Sequence, residues 1–296
     1  MADAAIIIPH FNDVSRLLRC LEALHPQLSA RVELVVVDNC STDDLGAVRN
    51  AYPDLRLITE PQGGAAQARN RGVAETTAPR LFFIDADCVP TPNWVETALA
   101  ATEHSAGPYT NADVIGGSVV LFDETPAPRS GAEAFETVFA FDNRCYIETK
   151  NFSVTANLLT RRDVFETTGP FDDSRSEDVD WCRRAIANGY KLTYLDALKV
   201  SHPSRADWPT LRKKWKRTTH EGFGMNGAHF RARLRWALRA SLMPVSTVFH
   251  AAKVLRHPAL NGRQERWAAL CTLARLRLLR MTWMMDQAIR GRSAGR

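Results

Sequence analysis

The chain has 296 residues, 45% hydrophobic and 24% charged, which excludes a disordered chain or a collagen-like repeat and fits one large α/β domain with an appendage, or two modest domains. Six cysteines (Cys20, Cys40, Cys88, Cys145, Cys182, Cys271) are scattered with no C-x-x-C pair, so neither a zinc knuckle nor a disulfide scaffold is suggested and a reducing cytoplasm fits best. The net charge of +5 hides an asymmetry: from Pro203 onward 20 Lys/Arg face 4 Asp/Glu, whereas before it 18 face 29. An acidic body with a basic tail points to an anionic partner for the tail, membrane or nucleic acid.

In chain order, MADAAIIIPHF lacks a basic leader, and its apolar run at 4–8 is too short for a signal-peptide core, so secretion is not expected. Apolar runs at 4–8, 32–37, 55–58, 81–84 and 114–122 predict strands, several suited to a buried sheet. Residues 13–24, 42–51 and 65–75 have helical spacing and caps. This alternation predicts an α/β fold with a mostly parallel central sheet, right-handed crossovers and flanking helices. Ligands of such sheets bind at the carboxyl ends of the strands, so the polar residues after each apolar run are the ones to weigh. Residues 123–131, with Pro126 and Pro128, read as an exposed loop, and a change of composition puts a boundary between 203 and 230.

Asp38 and Asn39 close the second strand; Asp38 sits where a carboxylate can accept from a nucleobase imide or a ribose hydroxyl. Asp43 and Asp44 read as acids of a first helical turn. The stretch QGGAAQARNRG has neither G-x-G-x-x-G nor a Walker lysine, so dinucleotide and P-loop readings fail. Within it Arg69 is balanced between a nucleotide contact and a solvated helix face, and Arg71 fits the solvated face better. Asp85-Ala86-Asp87 places two carboxylates one residue apart at the ligand edge of a buried strand. Oxygen ligands there suit Mg²⁺ or Mn²⁺, while a plain turn before Pro90 and Pro92 is the competing account. Glu177, Asp178 and Asp180 follow Ser176 at a helix start, where they either stabilise the dipole or include a general base whose pKa the helix lowers. His202, just before a proline, is structural or a metal ligand.

Taken together, IIIPHFND, VVVDNCSTDD, GGAAQARNRG, LFFIDADCVP, TANLLTRRDVFETTGPFD, SEDVDWCRRA and VSHPS resemble, in order and over about residues 4–203, the inverting family 2 glycosyltransferases of GT-A fold. The resemblance implies a nucleotide-sugar donor, UDP-linked most commonly, a Mn²⁺ or Mg²⁺ ion, and transfer with inversion to a carbohydrate or lipid-linked hydroxyl in surface polysaccharide or glycolipid synthesis. It implies that Pro9 and Phe11 line the base pocket and Asp38 holds base or ribose. Asp85 and Asp87 form the D-x-D element around Ala86, with Asp87 the direct metal contact and His202 the C-terminal metal ligand. Asp178 is the implied base, and Glu177 orients the acceptor or the neighbouring loop. Three departures stand out: Asn39 replaces a second acid, Thr155-Ala156 replaces glycines, and LRKKWKRTTHEGFG lacks the Gln-x-x-Arg-Trp of processive polymerases. The last favours single-sugar transfer.

The expected organisation is a catalytic domain over 1–210, with a donor half to about 110 and an acceptor half after it, and a basic amphipathic helical tail over 211–296. Residues 240–252 carry no charged side chain, but 13 helical residues reach only about 20 Å against a hydrocarbon core of about 30 Å. Residues 267–285 are long enough, yet Arg275, Arg277 and Arg280 each cost about 2.5 to 3.5 kcal/mol near a membrane centre. An interfacial helix with Trp267 and Trp283 inserted and the arginines at headgroups avoids that cost and gives a peripheral protein of the cytoplasmic membrane face. Packing on the catalytic domain, or in a homo-oligomer interface, is the alternative. Nucleic acid ranks below membrane, since Lys213, Lys214, Lys216 and Arg217 around Trp215 come with no RNA-binding signature. Two other functions use some of the same residues: a sugar nucleotidyltransferase, whose Gly-rich basic loop is missing, and a non-catalytic sugar-nucleotide or membrane-binding protein, which would not need Asp85, Asp87 and Asp178 together.

Overall fold

Side-chain alternation along β1 (Ala4–His10) divides the core. Ile6 and Ile8 pack on one side of the sheet with Leu17, Leu21 and Trp94, whereas Ala5 and Ile7 pack on the other with Phe83, Phe171 and Trp181. A strand covered by helices on both faces can be apolar throughout, which is why its sequence shows a run rather than an alternation. The computed structural model describes residues 2–103, 112–174 and 176–291. It divides into two compact units, Met1–Val120 with Phe141–His202, and Leu121–Ala140 with Pro203–Arg296.

In the first unit β1 is parallel to β2 (Val32–Asp38), which is parallel in turn to β3 (Arg56–Thr59), and on its other side β1 is parallel to β4 (Arg80–Ile84). With β5 (Val89–Pro90), β6 (Val114–Phe122), β7 (Asn157–Arg161) and β8 (Leu192–Pro203) they form an eight-stranded sheet of order β3-β2-β1-β4-β7-β6-β8-β5. β7 runs antiparallel to β4, β6 to β7, and β5 to β8. The expected parallel sheet is thus present in its first four strands, and antiparallel pairings extend it. The expected donor/acceptor boundary near 110 lies outside the described residues.

The helices of this unit are α1 (Val14–Leu24), α2 (Gly46–Ala51), α3 (Ala65–Ala74) and α4 (Trp94–Thr102), then, after α5 (Gly131–Phe139), which belongs to the second unit, α6 (Asn143–Lys150), α7 (Arg162–Thr168) and α8 (Glu177–Ala187). Asp13 caps α1, its carboxylate accepting from the Arg16 N–H. α3 lies so close to the sheet that a Cβ on Gly72 would stand 2.4 Å from Ile7 Cγ2. Only glycine permits that approach. The helix expected over 42–51 begins at Gly46 instead. Residues 42–45 are held as a loop: Asn12 Oδ1 accepts from the Thr42 N–H at 2.7 Å and the Asp43 N–H at 3.2 Å, and Asp44 Oδ1 accepts from the Gly46 N–H at 2.9 Å. Asp43 and Asp44 are therefore loop residues rather than first-turn acids, an Asx-type turn having won over the helix.

In the second unit α5 packs with α9 (Trp208–Asn226), α11 (Met243–Leu255) and the 29-residue α12 (Gly262–Arg290), and α10 (Phe230–Ser241) packs on α9, α11 and α12. Ala132, Phe135, Leu211, Leu273 and Leu276 share one core, and each fully buried leucine contributes about 1.5 to 3 kcal/mol. Glu136, buried on α5, accepts from Arg205 Nη1 at 2.9 Å and Lys214 Nζ at 2.8 Å. Burial pushes its pKa up, but Lys214 and Arg205 outweigh burial and hold the carboxyl below its ordinary range. The expected loop at 123–131 is exposed at 124–128, and Arg129 fastens its end to Asp123 and to buried Glu265.

Of the three α12 arginines expected at headgroups, Arg280 is buried, Arg277 is half-buried and Arg275 is exposed. Arg280 is buried over the Trp215 ring, 4.6 Å from its centroid, and Arg275 lies 4.0 Å from the Trp208 centroid. Arg277 Nη1 meets Met243 Sδ at 3.5 Å. Among the described residues no helix is long and apolar enough to cross a membrane.

Candidate active site

The carboxyl ends of β1 and β2 meet in register, His10 opposite Asp38. The His10 Nε2 accepts from the Asp13 N–H at 3.2 Å, so Nδ1 carries the proton that it shares with Asp38 Oδ1 at 3.1 Å. The imidazole thereby fixes Asp38, which is nearly buried. Pro9 precedes this pair, and the Phe11 ring that follows is 60% exposed, an aromatic surface at the strand end.

Asn39 explains a departure noted in the sequence. Its amide donates to the carbonyls of Glu60 at 3.2 Å and Gln62 at 2.7 Å, and its oxygen accepts from the Gly64 N–H at 2.6 Å. A carboxylate could make only the last of these contacts. The loop leading into α3 is tied to the sheet by an amide, and Gly64, at φ +136, begins the helix.

Arg69, on the buried side of α3, has a side chain only 4% exposed. One arm of its fork donates to Asp85 Oδ1 at 2.6 Å and the other to Glu177 Oε1. Burial opposes its charge, but Glu177 and Asp85 outweigh burial and raise its pKa, so the guanidinium stays charged. This is not the solvated helix face, one of the two readings of its sequence. It links the end of β4 to the start of α8. Arg71, by contrast, is exposed and pairs with Glu75, as expected.

Beyond Asp85, Ala86 is buried, and Asp87 Oδ2 lies 3.3 Å from His202 Nε2. The pairing of Val89 with Ser201 and of Pro90 with Val200 brings these two side chains to one end of the β5–β8 ladder. The His202 ring packs on Phe141, with centroids 4.7 Å apart. Phe141 adopts φ +50, a left-handed backbone that a bulky residue rarely takes.

At the start of α8, Asp178 Oδ1 accepts from the Ser176 hydroxyl at 3.1 Å and from the Val179 N–H at 2.8 Å. The Ser176 side chain holds that carboxylate rather than capping a backbone N–H. Burial pushes the Asp178 pKa up, against the lowering by Val179, Ser176 and Arg69 and with the help of the nearby Asp85 charge. Burial also raises Glu177, Arg69 notwithstanding. The helix start was expected to lower the base; desolvation outweighs it. An Asp with a raised pKa is a stronger proton acceptor than an exposed one.

The site residues named from sequence thus fall into three groups: Pro9, Phe11 and Asp38 at the first two strand ends; Asp85, Arg69, Glu177 and Asp178; and Asp87 with His202. Sequence reasoning missed His10. Its signal was available, since the strand that ends in Pro9-His10 lies beside the one that ends in Asp38.

A parallel sheet with a carboxylate-lined edge, joined by antiparallel strands that return a histidine to it, is the GT-A architecture of nucleotide-sugar transferases. Residues 5–169 match the model of Glycosyl transferase family 2, and the chain belongs to that family. Glycosyltransferase AglE of Haloferax volcanii is 31% identical over 223 residues, covering 72% of this chain and 70% of the relative. Pre-mycofactocin glycosyltransferase of Mycobacterium tuberculosis is 28% identical, covering 70% of this chain and 44% of that protein. Among solved structures, the mannosyltransferase PcManGT of Pyrobaculum calidifontis in complex with GDP-Man and Mn²⁺ superposes with TM-score 0.54 at 17% identity, covering 98% of this chain and 73% of the other. S. aureus TarS 1-349 in complex with UDP-GlcNAc gives 0.55 at 14% identity, covering 99% and 93%. These similarities establish the fold.

Proposed function

We propose that the protein is an inverting glycosyltransferase that moves a single sugar from a UDP-linked donor to an acceptor hydroxyl in surface polysaccharide or glycolipid synthesis at the cytoplasmic membrane face. The observation that carries this reading is the Arg69 fork, which joins Asp85 to the helix start bearing Glu177 and Asp178. Displacement at an anomeric carbon needs a group that gathers the donor phosphates and a group that takes a proton held in one place. The GDP-Man and UDP-GlcNAc complexes of fold relatives support a nucleotide-sugar donor.

A divalent cation fits this donor set. Among the described residues no three His, Cys, Asp or Glu side chains are gathered to hold a metal by themselves, whereas Asp87 and His202 come within 3.3 Å. Mg²⁺ and Mn²⁺ keep waters and share phosphate oxygens with the protein, so a small protein set suffices. Asp87 and His202 would hold the ion with Asp85 beside them, and the ion would supply positive charge against the departing diphosphate.

Asp38, steadied by His10, accepts from the base imide or ribose, with Pro9 and Phe11 lining the base pocket. Asp178 takes the proton from the acceptor hydroxyl as that oxygen bonds to the anomeric carbon; the bond from that carbon to the diphosphate oxygen breaks on the opposite face, and the configuration inverts. Glu177, fixed by Arg69, orients the acceptor or its loop. Residues 1–210 serve this chemistry, and the basic region 211–296 associates with an anionic membrane surface.

A thermal-shift panel of UDP-, GDP- and dTDP-sugars with and without Mn²⁺, followed by donor hydrolysis, tests the reading. A donor at about 100 times its Kd stabilises by about 2.7 kcal/mol. UDP-sugar stabilisation that depends on Mn²⁺ and is accompanied by hydrolysis is expected. Stabilisation without turnover would leave a binding protein, and pyrophosphate exchange would indicate a nucleotidyltransferase.

A further inference from the structure

α10 buries Ala232, Trp236 and Ala240, while Phe230, Leu234 and Leu238 lie on the face turned away from them. Spaced four residues apart, these side chains form one stripe, which Leu242 continues at the turn into α11. On α11 the buried residues are Met243 and Val254, and Val245, Val248 and Phe249 occupy the opposite side. Phe230, Val248 and Phe249 are 77%, 75% and 78% exposed. Two consecutive helices that each pack through one face therefore present large apolar side chains on the other. Single exposed leucines need no explanation, but a repeated stripe does.

The charge beside the stripe selects its occupant. Arg231, Arg235 and Arg239, also four apart, are exposed along the edge of the α10 stripe. Between Glu221 and Glu265 the chain has seven Lys/Arg and no Asp or Glu. A second copy of the same surface would set these arginines against one another with no acid to offset them, whereas an anionic bilayer accepts both the apolar side chains and the basic border.

We propose that α10 and α11 are the membrane-docking surface, with Phe230, Leu234, Leu238, Val248 and Phe249 entering the headgroup boundary of an anionic bilayer and Arg231, Arg235 and Arg239 meeting its phosphates. The inference rests on the membrane association proposed above and moves it from α12, where Arg277 and Arg280 are engaged within the protein, to the preceding helices. Truncation is a poor test, because α5, from the middle of the chain, is part of the same core as α12.

Full-length protein is floated with vesicles of phosphatidylcholine and of equimolar phosphatidylcholine and phosphatidylglycerol, at low and high salt. Wild type is expected on the anionic vesicles, with part of the binding surviving salt. Leu234→Glu with Phe249→Glu lowers partitioning about tenfold or more at both salt levels. Replacing Arg231, Arg235 and Arg239 with Gln weakens it mainly at low salt, and Trp267→Glu, exposed on α12, leaves it unchanged. Thermal melting of each variant checks the fold, and sedimentation reports self-association. Failure of wild type to float overturns both the docking surface and the membrane association. A folded Leu234→Glu/Phe249→Glu protein that floats like wild type overturns this surface alone. A wild-type dimer that this variant dissociates assigns the stripe to a second copy.

Discussion

Asp87 and His202 lie 115 positions apart in sequence, yet Asp87 Oδ2 comes within 3.3 Å of His202 Nε2 because β5 and β8 pair antiparallel beside them. Replacing Asp87 with Asn keeps the volume and removes the carboxylate charge proposed to hold the cation. Mn²⁺-dependent affinity for UDP, measured by calorimetry, should fall by more than the roughly 10- to 100-fold that follows loss of an outer-shell partner. Thermal melting without ligand should hardly change. Unaltered Mn²⁺-dependent affinity would remove Asp87 from the site.

Asp178→Asn should leave donor affinity within a few fold and cut transfer by about 10² to 10⁴, the range for loss of a general base. Single-turnover transfer and donor titration separate the two quantities. Equal losses in both would make Asp178 a structural residue of the helix start.

The pH profile carries a sign. Burial holds the Asp178 pKa above the ordinary carboxylate value, so activity should rise with pH along an acid limb lying above the usual Asp range. Ser176 donates to the charged form and lowers that pKa. Ser176→Ala should therefore move the limb to higher pH, and a shift in the opposite direction would contradict the assignment.

Arg69→Leu leaves Asp85 and Glu177 facing each other with no cation between them. Loss of one partner from a buried pair costs about 3 to 5 kcal/mol; with the carboxylate side chains 30% and 21% exposed, the lower end is expected by chemical denaturation. Arg69→Lys should recover little, because a point charge cannot serve two carboxylates as a planar fork does.

Asn39→Asp restores the second acid of the family pattern and removes two donors from the loop carbonyls of Glu60 and Gln62. A loss of about 1 to 3 kcal/mol of unfolding free energy, obtained from a denaturant titration, is expected. An unchanged or raised stability would mean that the loop is held by other contacts.

The first four strands were legible because each is a short apolar run closed by a polar residue, and the ligand edge followed from their parallel order. The start of α2 was not legible. Its decisive contact comes from Asn12, some 30 residues away, and local capping signals pointed to Thr42 instead. The raised pKa of Asp178 was hidden for a similar reason: the helix start is visible in sequence, whereas the depth of the surrounding protein is not. The environments of Arg275, Arg277 and Arg280 also escaped a reading based on composition. A basic, Trp-rich helix looks alike whether its arginines face phosphate or lie against Trp208 and Trp215, and only tertiary packing distinguishes the two.

The shared guanidinium of Arg69 makes two carboxylates compete for one cation. A ligand that draws Asp85 toward itself releases part of that cation to Glu177, and a ligand that engages Glu177 does the reverse. With the donor proposed at Asp85 and the acceptor at Glu177, the two occupancies would be linked through a single side chain, and the factor by which one alters the affinity of the other must be the same in both directions.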